Sequence, residues 1–378
     1  MQLAATTPTD VVTPLLTVEE ALAGLDQARH NTLALVTHLT HTQLEQLHSP
    51  LMSPLVWDLG HIAAYEDLWL AHRHASAPLL RPDLAELYDA FETPRAVRGQ
   101  IEMLGPPDAF AYLQDVRARV AEIICKQGVG DGFAHEMVIR HELQHSETMR
   151  QTMMLGGILA PGEPSLSPLA GEDQWVDVPG GPATIGAAQQ TFSYDNERPR
   201  HTTAVPRFQI ARRSATNESW MRFTEGGGYE RREWWSDEGW AWKEEYDITH
   251  HPDAADSHPQ APVCRICWFE ADAFARAHHA RLPTEYEWEK AAAWTQQTSL
   301  AGLGQVWEWT SSHFHGYPGF SAHPYREYSE VFFGECYRVL RGGSWATHAR
   351  VATPTFRNWD LPQRRQLFAG VRLAKDVR

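Results

Sequence analysis

The sequence predicts an α+β chain of two dissimilar parts, a bundle of four amphipathic helices followed by an irregular α+β domain. Apolar residues recur at helical spacing through roughly the first 160 positions. Beyond them the composition turns to glycine, tryptophan and short β-like runs. Size agrees, because 378 residues exceed one ordinary compact domain and suffice for two hydrophobic cores. The expected boundaries are residues 1–160 for the bundle, 161–174 for a Gly/Pro/Ser-rich linker and 175–378 for the second domain.

The first helix starts at the capping box Thr17-Val-Glu-Glu20, with Leu22, Leu25, Leu33 and Val36 behind it. The second opens at Ser53-Pro54, a cap residue followed by proline at the first helical position, and runs through "LVWDLGHIAAYEDLWLAH". A third carries Phe110, Leu113, Val116, Val120 and Ile123, and the fourth runs from about Phe133 to Leu155, stopped by Gly156-Gly157. In the second part "WVDVPGGPATIG", "RFQIARR", "YRVLRGGSW" and "FAGVRLA" read as strands, while "NESWMRFTEGG", "FEADAFARAHHA" and "TEYEWEKAAAW" keep helical periodicity. "PVCRICWF" also reads as a strand. Its Cys264 and Cys267 have no second pair or nearby histidine to complete a zinc knuckle, so they are expected to pack as two buried thiols.

The formal charge of −15, from 33 Lys+Arg against 48 Asp+Glu, argues against a nucleic-acid partner, which requires a basic surface. Four scattered cysteines fit a reducing compartment. The opening stretch "MQLAATTPTDVVTPLLTVEEAL" lacks the positive region of a secretory signal, and no apolar run reaches membrane-spanning length. A cytoplasmic enzyme with no membrane partner is the expectation.

"HELQHSE", residues 141–147, fits the His-Glu-x-x-His pattern of zinc proteases, but its spacing specifies a metal before it specifies a reaction. His141 and His145 stand one helical turn apart on the face set by Ala134, Met137 and Val138, so they can grip one ion. A third ligand is expected from a facing helix of the bundle, and His61, between Trp57 and Tyr65, is the candidate. No downstream Gly-x-x-His completes a zincin; residues 146–152 are Ser-Glu-Thr-Met-Arg-Gln-Thr. Three histidines leave open coordination positions, as oxygen-activating non-haem iron sites require. In the second part Tyr325 and Tyr328, and then Asn358, Trp359 and Asp360, are clustered. Either cluster alone reads equally as a structural loop with an aromatic anchor. A Trp face beside Asn and Tyr also suits a quaternary ammonium, and Asp360 with Arg95 and Arg98 suits an amino-acid-like second substrate.

The strings "SPLVWDLGHIAAYEDLWL", "LYDAFETPRAVR", "HELQHSETM", "VPGGPATIG", "SYDNERPRH", "RLPTEYEWEKA", "GQVWEWTSS", "YRVLRGGSWAT" and "FRNWDLPQRRQLFAGVRLA" resemble, in order, the hercynine oxygenases. These are iron-dependent sulfoxide synthases of ergothioneine biosynthesis, related to the selenoneine synthases. The resemblance implies a DinB-like four-helix bundle joined to a formylglycine-generating-enzyme-like domain of C-type-lectin-like fold. It implies that His61, His141 and His145 hold Fe(II), and that Gln144, Tyr328, Asn358 and Trp359 cradle hercynine. Tyr325 falls on the tyrosine that donates a proton to activated oxygen. Arg95, Arg98 and Asp360 fall on positions that bind a γ-glutamylcysteine donor, and Glu142 is not expected to act as a protease base. The substrates so implied are hercynine, O2 and a thiol or selenol donor. Two departures bear on this: only residues 291–303 separate Lys290 from Gly304, where the family has a longer insertion. "RGGSWATHARVA" also lacks the cysteine pair of formylglycine-generating enzymes, so oxidation of peptide cysteines is not expected. A metal-dependent thiol transferase and a non-catalytic binding module with structural zinc are the rival readings.

Overall fold

The computed structural model describes residues 15–160, 166–169, 171, 173–255, 257–294 and 300–377. Half of the expected linker 161–174 falls among these; residues 161–165, 170 and 172 lie outside, as do 295–299 of the shortened segment. The chain divides into two compact units, one up to Gly157 and one from Ile158 onward.

The first unit is built on α1 (Val18–Val36), α3 (Leu55–Glu66), α4 (Pro106–Gln127) and α5 (Phe133–Leu155), with a one-turn helix α2 (His41–Glu45) between the first two. Thr17 caps α1 in a reciprocal box: its hydroxyl accepts from Glu20 N at 3.2 Å, and Glu20 Oε2 accepts from Thr17 N at 2.8 Å. Pro54, not Ser53, occupies the cap position of α3, and the Ser53 hydroxyl instead accepts a hydrogen bond from Arg98. From Asp67 to His74 the α3 helix continues as a π-helix, the wider winding that often marks functional sites.

Four opposite charges tie the long helices together. Arg29 on α1 donates from Nε to Glu142 on α5 and from Nη2 to Glu66 on α3, both at 2.8 Å. Arg117 on α4 donates to Glu66 at 2.7 and 2.9 Å and to Glu142 at 3.2 Å. Both carboxylates are buried, and each has two guanidiniums as partners, the arrangement under which buried ions are tolerated.

Among the described residues the second unit holds three small sheets. β1 (Trp175–Val178), β4 (Phe208–Ala211) and β9 (Ala374–Asp376) form one in the order β1-β4-β9, and β2 (Gly181–Ile185) pairs with β3 (His201–Val205). The third, β7-β6-β5-β8, joins β5 (Trp307–Phe314), β6 (Gly334–Arg341), β7 (Asn358–Asp360) and β8 (Ala369–Gly370). The expected helices are α6 (Asn217–Glu225), α8 (Trp268–Ala277) and α9 (Glu285–Ala293); α7 (Asp237–Glu245) is additional. Val178, Ile185, Val205, Phe208 and Ile210 pack into one core cluster. Glu308 on β5 is buried and accepts from Ser214, Trp288 and both sides of the Arg372 fork at 2.6–2.8 Å.

"PVCRICWF" is not a strand. Only Pro262 bridges, to Thr216, Arg265 takes a positive φ of 68°, and Cys267 is the N-cap of α8. Cys267 is buried whereas Cys264 is partly exposed.

Candidate metal centre

His141 and His145 project from one side of α5, as i, i+4 positions must. His61 reaches them from α3, and the three ligand nitrogens lie within 4.8 Å of one another. His61 Nδ1 is 2.7 Å from the Tyr88 carbonyl. A carbonyl only accepts, so Nδ1 carries the proton and Nε2 keeps its lone pair. By the same logic the Asp58 carboxylate, 3.2 Å from His145 Nδ1, fixes that ring with Nε2 free. Carbonyl and carboxylate partners of this kind are the usual outer supports of metal-bound histidines.

The residues fit a metal. His61 Nε2 and His141 Nε2 are 3.1 Å apart, and two nitrogens at right angles on one ion, each about 2.1 Å from it, stand about 3 Å apart. Burial first, and the neighbouring His145 second, push the pKa of His61 well below 6.5. His141 shifts the same way, through burial and then repulsion from His145 and His61. Both rings are therefore neutral, as ligands must be. An all-imidazole set suits iron, zinc, copper or nickel.

Aromatic planes brace two of the ligands. Trp57 stacks on His61 with centroids 4.9 Å apart and planes at 12°, and Tyr65 stacks on His141 at 3.7 Å and 11°. Gly60 lets Tyr88 come close, for a Cβ there would sit 2.2 Å from the Tyr88 ring. Glu142, the glutamate of the protease-like pattern, is engaged by Arg29 and Arg117, so it is not available as a hydrolytic base. Gln144, the residue before His145 on α5, is partly exposed.

The arginines expected at the donor differ from each other. Arg95 is exposed and gives one hydrogen bond, to Leu51 O at 3.2 Å. Arg98 is buried and donates to Thr93 O, Ser53 Oγ and Ala90 O at 2.9, 2.9 and 3.1 Å.

In the second unit the structure brings Tyr325, Tyr328 and Trp359 into one aromatic cluster. Tyr328 stacks on Tyr194 at 4.1 Å and 9° and meets Tyr325 and Trp359 edge-on at 6.2 and 5.8 Å. Trp359 lies on Phe314 at 4.3 Å and 8°. Asn358, Trp359 and Asp360 form β7, opposite Leu340, Val339 and Arg338 of β6. Buried Asp195 accepts from Ser329 Oγ at 2.6 Å and so anchors the segment that carries both tyrosines. Sequence reasoning did not single out Asp58, Tyr88, Tyr194 or Asp195. The row Trp57, His61, Tyr65, Trp69 at four-residue spacing was the available signal for the bracing planes.

Two family models match the chain: the sulfatase-modifying factor enzyme 1-like domain over residues 162–301 and 300–377, and the DinB superfamily over residues 24–127. The hercynine oxygenase of Mycolicibacterium thermoresistibile is 40% identical over 429 aligned positions, covering 95% of this chain and 95% of that protein. That of Mycobacterium tuberculosis is 39% identical over 95% of this chain and 99% of its own length. Ergothioneine biosynthesis protein 1 of Neurospora crassa is 35% identical over 97 residues, 24% of this chain and 11% of that protein. An alignment of 429 positions is longer than the 378-residue chain, so the Mycolicibacterium relative has segments without a counterpart here. With a DinB-like helical unit followed by a formylglycine-generating-enzyme-like unit of mixed helix and sheet, the chain belongs to the hercynine oxygenase family.

Proposed function

We propose that the protein is an Fe(II)- and O2-dependent enzyme that joins sulfur or selenium to C2 of the hercynine imidazole, in ergothioneine or selenoneine biosynthesis. The convergence of three imidazoles from α3 and α5 is the observation that carries this reading. In the overall change a C–H bond and an S–H or Se–H bond are lost, a carbon–chalcogen bond forms, and O2 takes up the electrons. Bound Fe(II) supplies the redox chemistry that lets O2 accept them.

The protein's own residues position and protonate. His61, His141 and His145 hold the metal. Gln144, Tyr328, Asn358 and Trp359 orient hercynine, whose trimethylammonium suits aromatic faces. Tyr325 delivers the phenolic proton that oxygen needs. Arg95 and Arg98 are assigned to the donor carboxylates, Arg98 with three of its five N–H groups already engaged, and Asp360 to the amine. One guanidinium that is largely unengaged suits a γ-glutamylcysteine-like thiol less well than two would, and leaves a selenosugar donor on an equal footing. A cytoplasmic setting is supported by four cysteines free of disulfides, and among the described residues no helix is long and apolar enough to cross a membrane.

The test is a mass spectrum of the product after anaerobic iron loading, with hercynine, O2 and each donor in turn, alongside oxygen uptake. A C–S or C–Se product with O2 consumed is expected. Transfer of the thiol without oxygen would move the protein to the thiol-transferase class, and no turnover with any donor would leave a binding module.

A further inference from the structure

His141 and His145 share one helix, so their mutual placement follows from α5 itself. His61 arrives alone from α3 and has no such partner. Its imidazole must be fixed from outside, or the third nitrogen would wander as the side chain rotates. The Tyr88 carbonyl holds Nδ1, but a single hydrogen bond leaves the ring free to swing about that axis. Trp57 removes this freedom by lying against the imidazole at 12°.

Trp57 is in turn held on its edge and its face. Its Nε1 donates to Leu87 O at 3.1 Å, and the Arg98 guanidinium carbon lies 3.5 Å from the ring centroid. Three hydrogen bonds, to Thr93 O, Ala90 O and Ser53 Oγ, fix the plane of that guanidinium, whose cation is held against the indole. The acceptors Leu87, Tyr88, Ala90 and Thr93 all belong to one short stretch of chain, so the loop that grips Arg98 also grips Trp57 and His61.

We propose that Arg98 is a positioning residue for the metal ligand His61, acting through the ring of Trp57, against which both lie. This rests on the metal-centre reading and departs from the donor-binding role that resemblance implies for Arg98. Lysine cannot replace it, because an ammonium has neither the plane nor the three-way fork.

The experiment titrates Co(II) into metal-free full-length wild type, Arg98→Met, Arg98→Lys and Trp57→Phe, and reads affinity and the visible d–d bands. The thermal midpoint of each metal-free protein is read alongside. Arg98→Met and Arg98→Lys are expected to bind Co(II) roughly 10–100-fold more weakly, the usual cost of losing an outer support, with displaced d–d bands. Trp57→Phe, which keeps a flat ring in the column, is expected to recover most of the affinity and the wild-type bands. Wild-type affinity and bands in both Arg98 variants, whether or not the donor KM rises, would overturn the proposal. So would a lowered midpoint with an unchanged spectrum at saturation, because Arg98 would then be only structural. Should Arg98→Met not fold, Arg98→Lys decides alone. Wild type that binds no Co(II) would overturn the metal reading itself, whereas the other adverse outcomes leave that reading standing.

Discussion

Two of the three clustered histidines are one helical turn apart, and the third lies 80 residues upstream on a helix that packs against theirs. The tyrosines of the second unit are fixed differently: Ser329 beside Tyr328 is anchored by Asp195, 134 residues away, and Tyr328 lies on Tyr194. In the helical unit the period of the backbone sets the site, and the tertiary structure only has to bring two helices together. In the second unit no local period aims the side chains, and each depends on a partner remote in sequence. Damage to the first site should therefore be confined to single ligands, while damage to the second should spread through its anchors.

The sharpest test of the local side is His145→Ala. Metal binding and turnover should be lost while far-ultraviolet circular dichroism stays that of wild type, because α5 is held by many other contacts; retained stoichiometric iron would remove His145 from the ligand set. Next in size is Glu142→Ala, which strips Arg29 and Arg117 of a buried partner and should destabilise by about 3–5 kcal/mol in denaturant unfolding. An effect under about 1 kcal/mol would show that the four-charge cluster is not what ties the helices.

The third outcome concerns acid. His135 on α5 is buried, with neither ring nitrogen hydrogen-bonded among the described residues. Burial, with His74 adding repulsion and Asp131 opposing, pulls its pKa from 6.5 down to about 4. A native pKa below the unfolded one means that the unfolded chain binds the extra proton. The contribution is fully present above pH 6.5, is lost as pH falls toward 4, and is flat below. His135→Phe should flatten that limb, read as thermal midpoint against pH, and an unchanged slope between pH 6.5 and 4 would assign the acid sensitivity elsewhere. Gly60→Ala comes next: its methyl meets the Tyr88 ring, and overpacking should cost about 1–3 kcal/mol and weaken metal binding through the displaced Tyr88 carbonyl. Equal metal affinity would show that this carbonyl is dispensable. The smallest effect on stability belongs to the remote side. Tyr325→Phe keeps the ring against Tyr328 and should leave the midpoint unchanged while moving product from the carbon–chalcogen adduct toward oxidised donor; an unchanged partition would move the proton donor to Tyr328.

How far the sequence could be read follows the same divide. The four long helices, the capping box at Thr17 and the pair His141/His145 are legible because they rest on period and on neighbours within four residues. His61 is legible one step further, as the lone histidine on an apolar helix face opposite that pair. Arg98 is not: Ser53 is 45 residues away, and only the folded chain shows that its fork is engaged. "PVCRICWF" misleads for another reason. A short apolar run fits a strand or a buried approach to a helix equally well, and the positive φ at Arg265 has no mark in composition. The strands β3 (HTTAV), β5 (WEWTSSHF) and β7 (NWD) were not read as strands because their His, Thr, Ser, Glu, Asn and Asp residues break the apolar runs that mark the others.

The cluster of Arg29, Arg117, Glu66 and Glu142 has an electrical consequence as well. Two cations and two anions offset one another, so Glu142, between His141 and His145 in the sequence, would cast little net field on an ion held there. Asp58, the carboxylate nearest the ligands, has Arg98 close enough to feel its charge. A divalent cation held by these three imidazoles would thus keep nearly all of its positive charge. In the function proposed above, that surplus would be left for the donor's thiolate or selenolate.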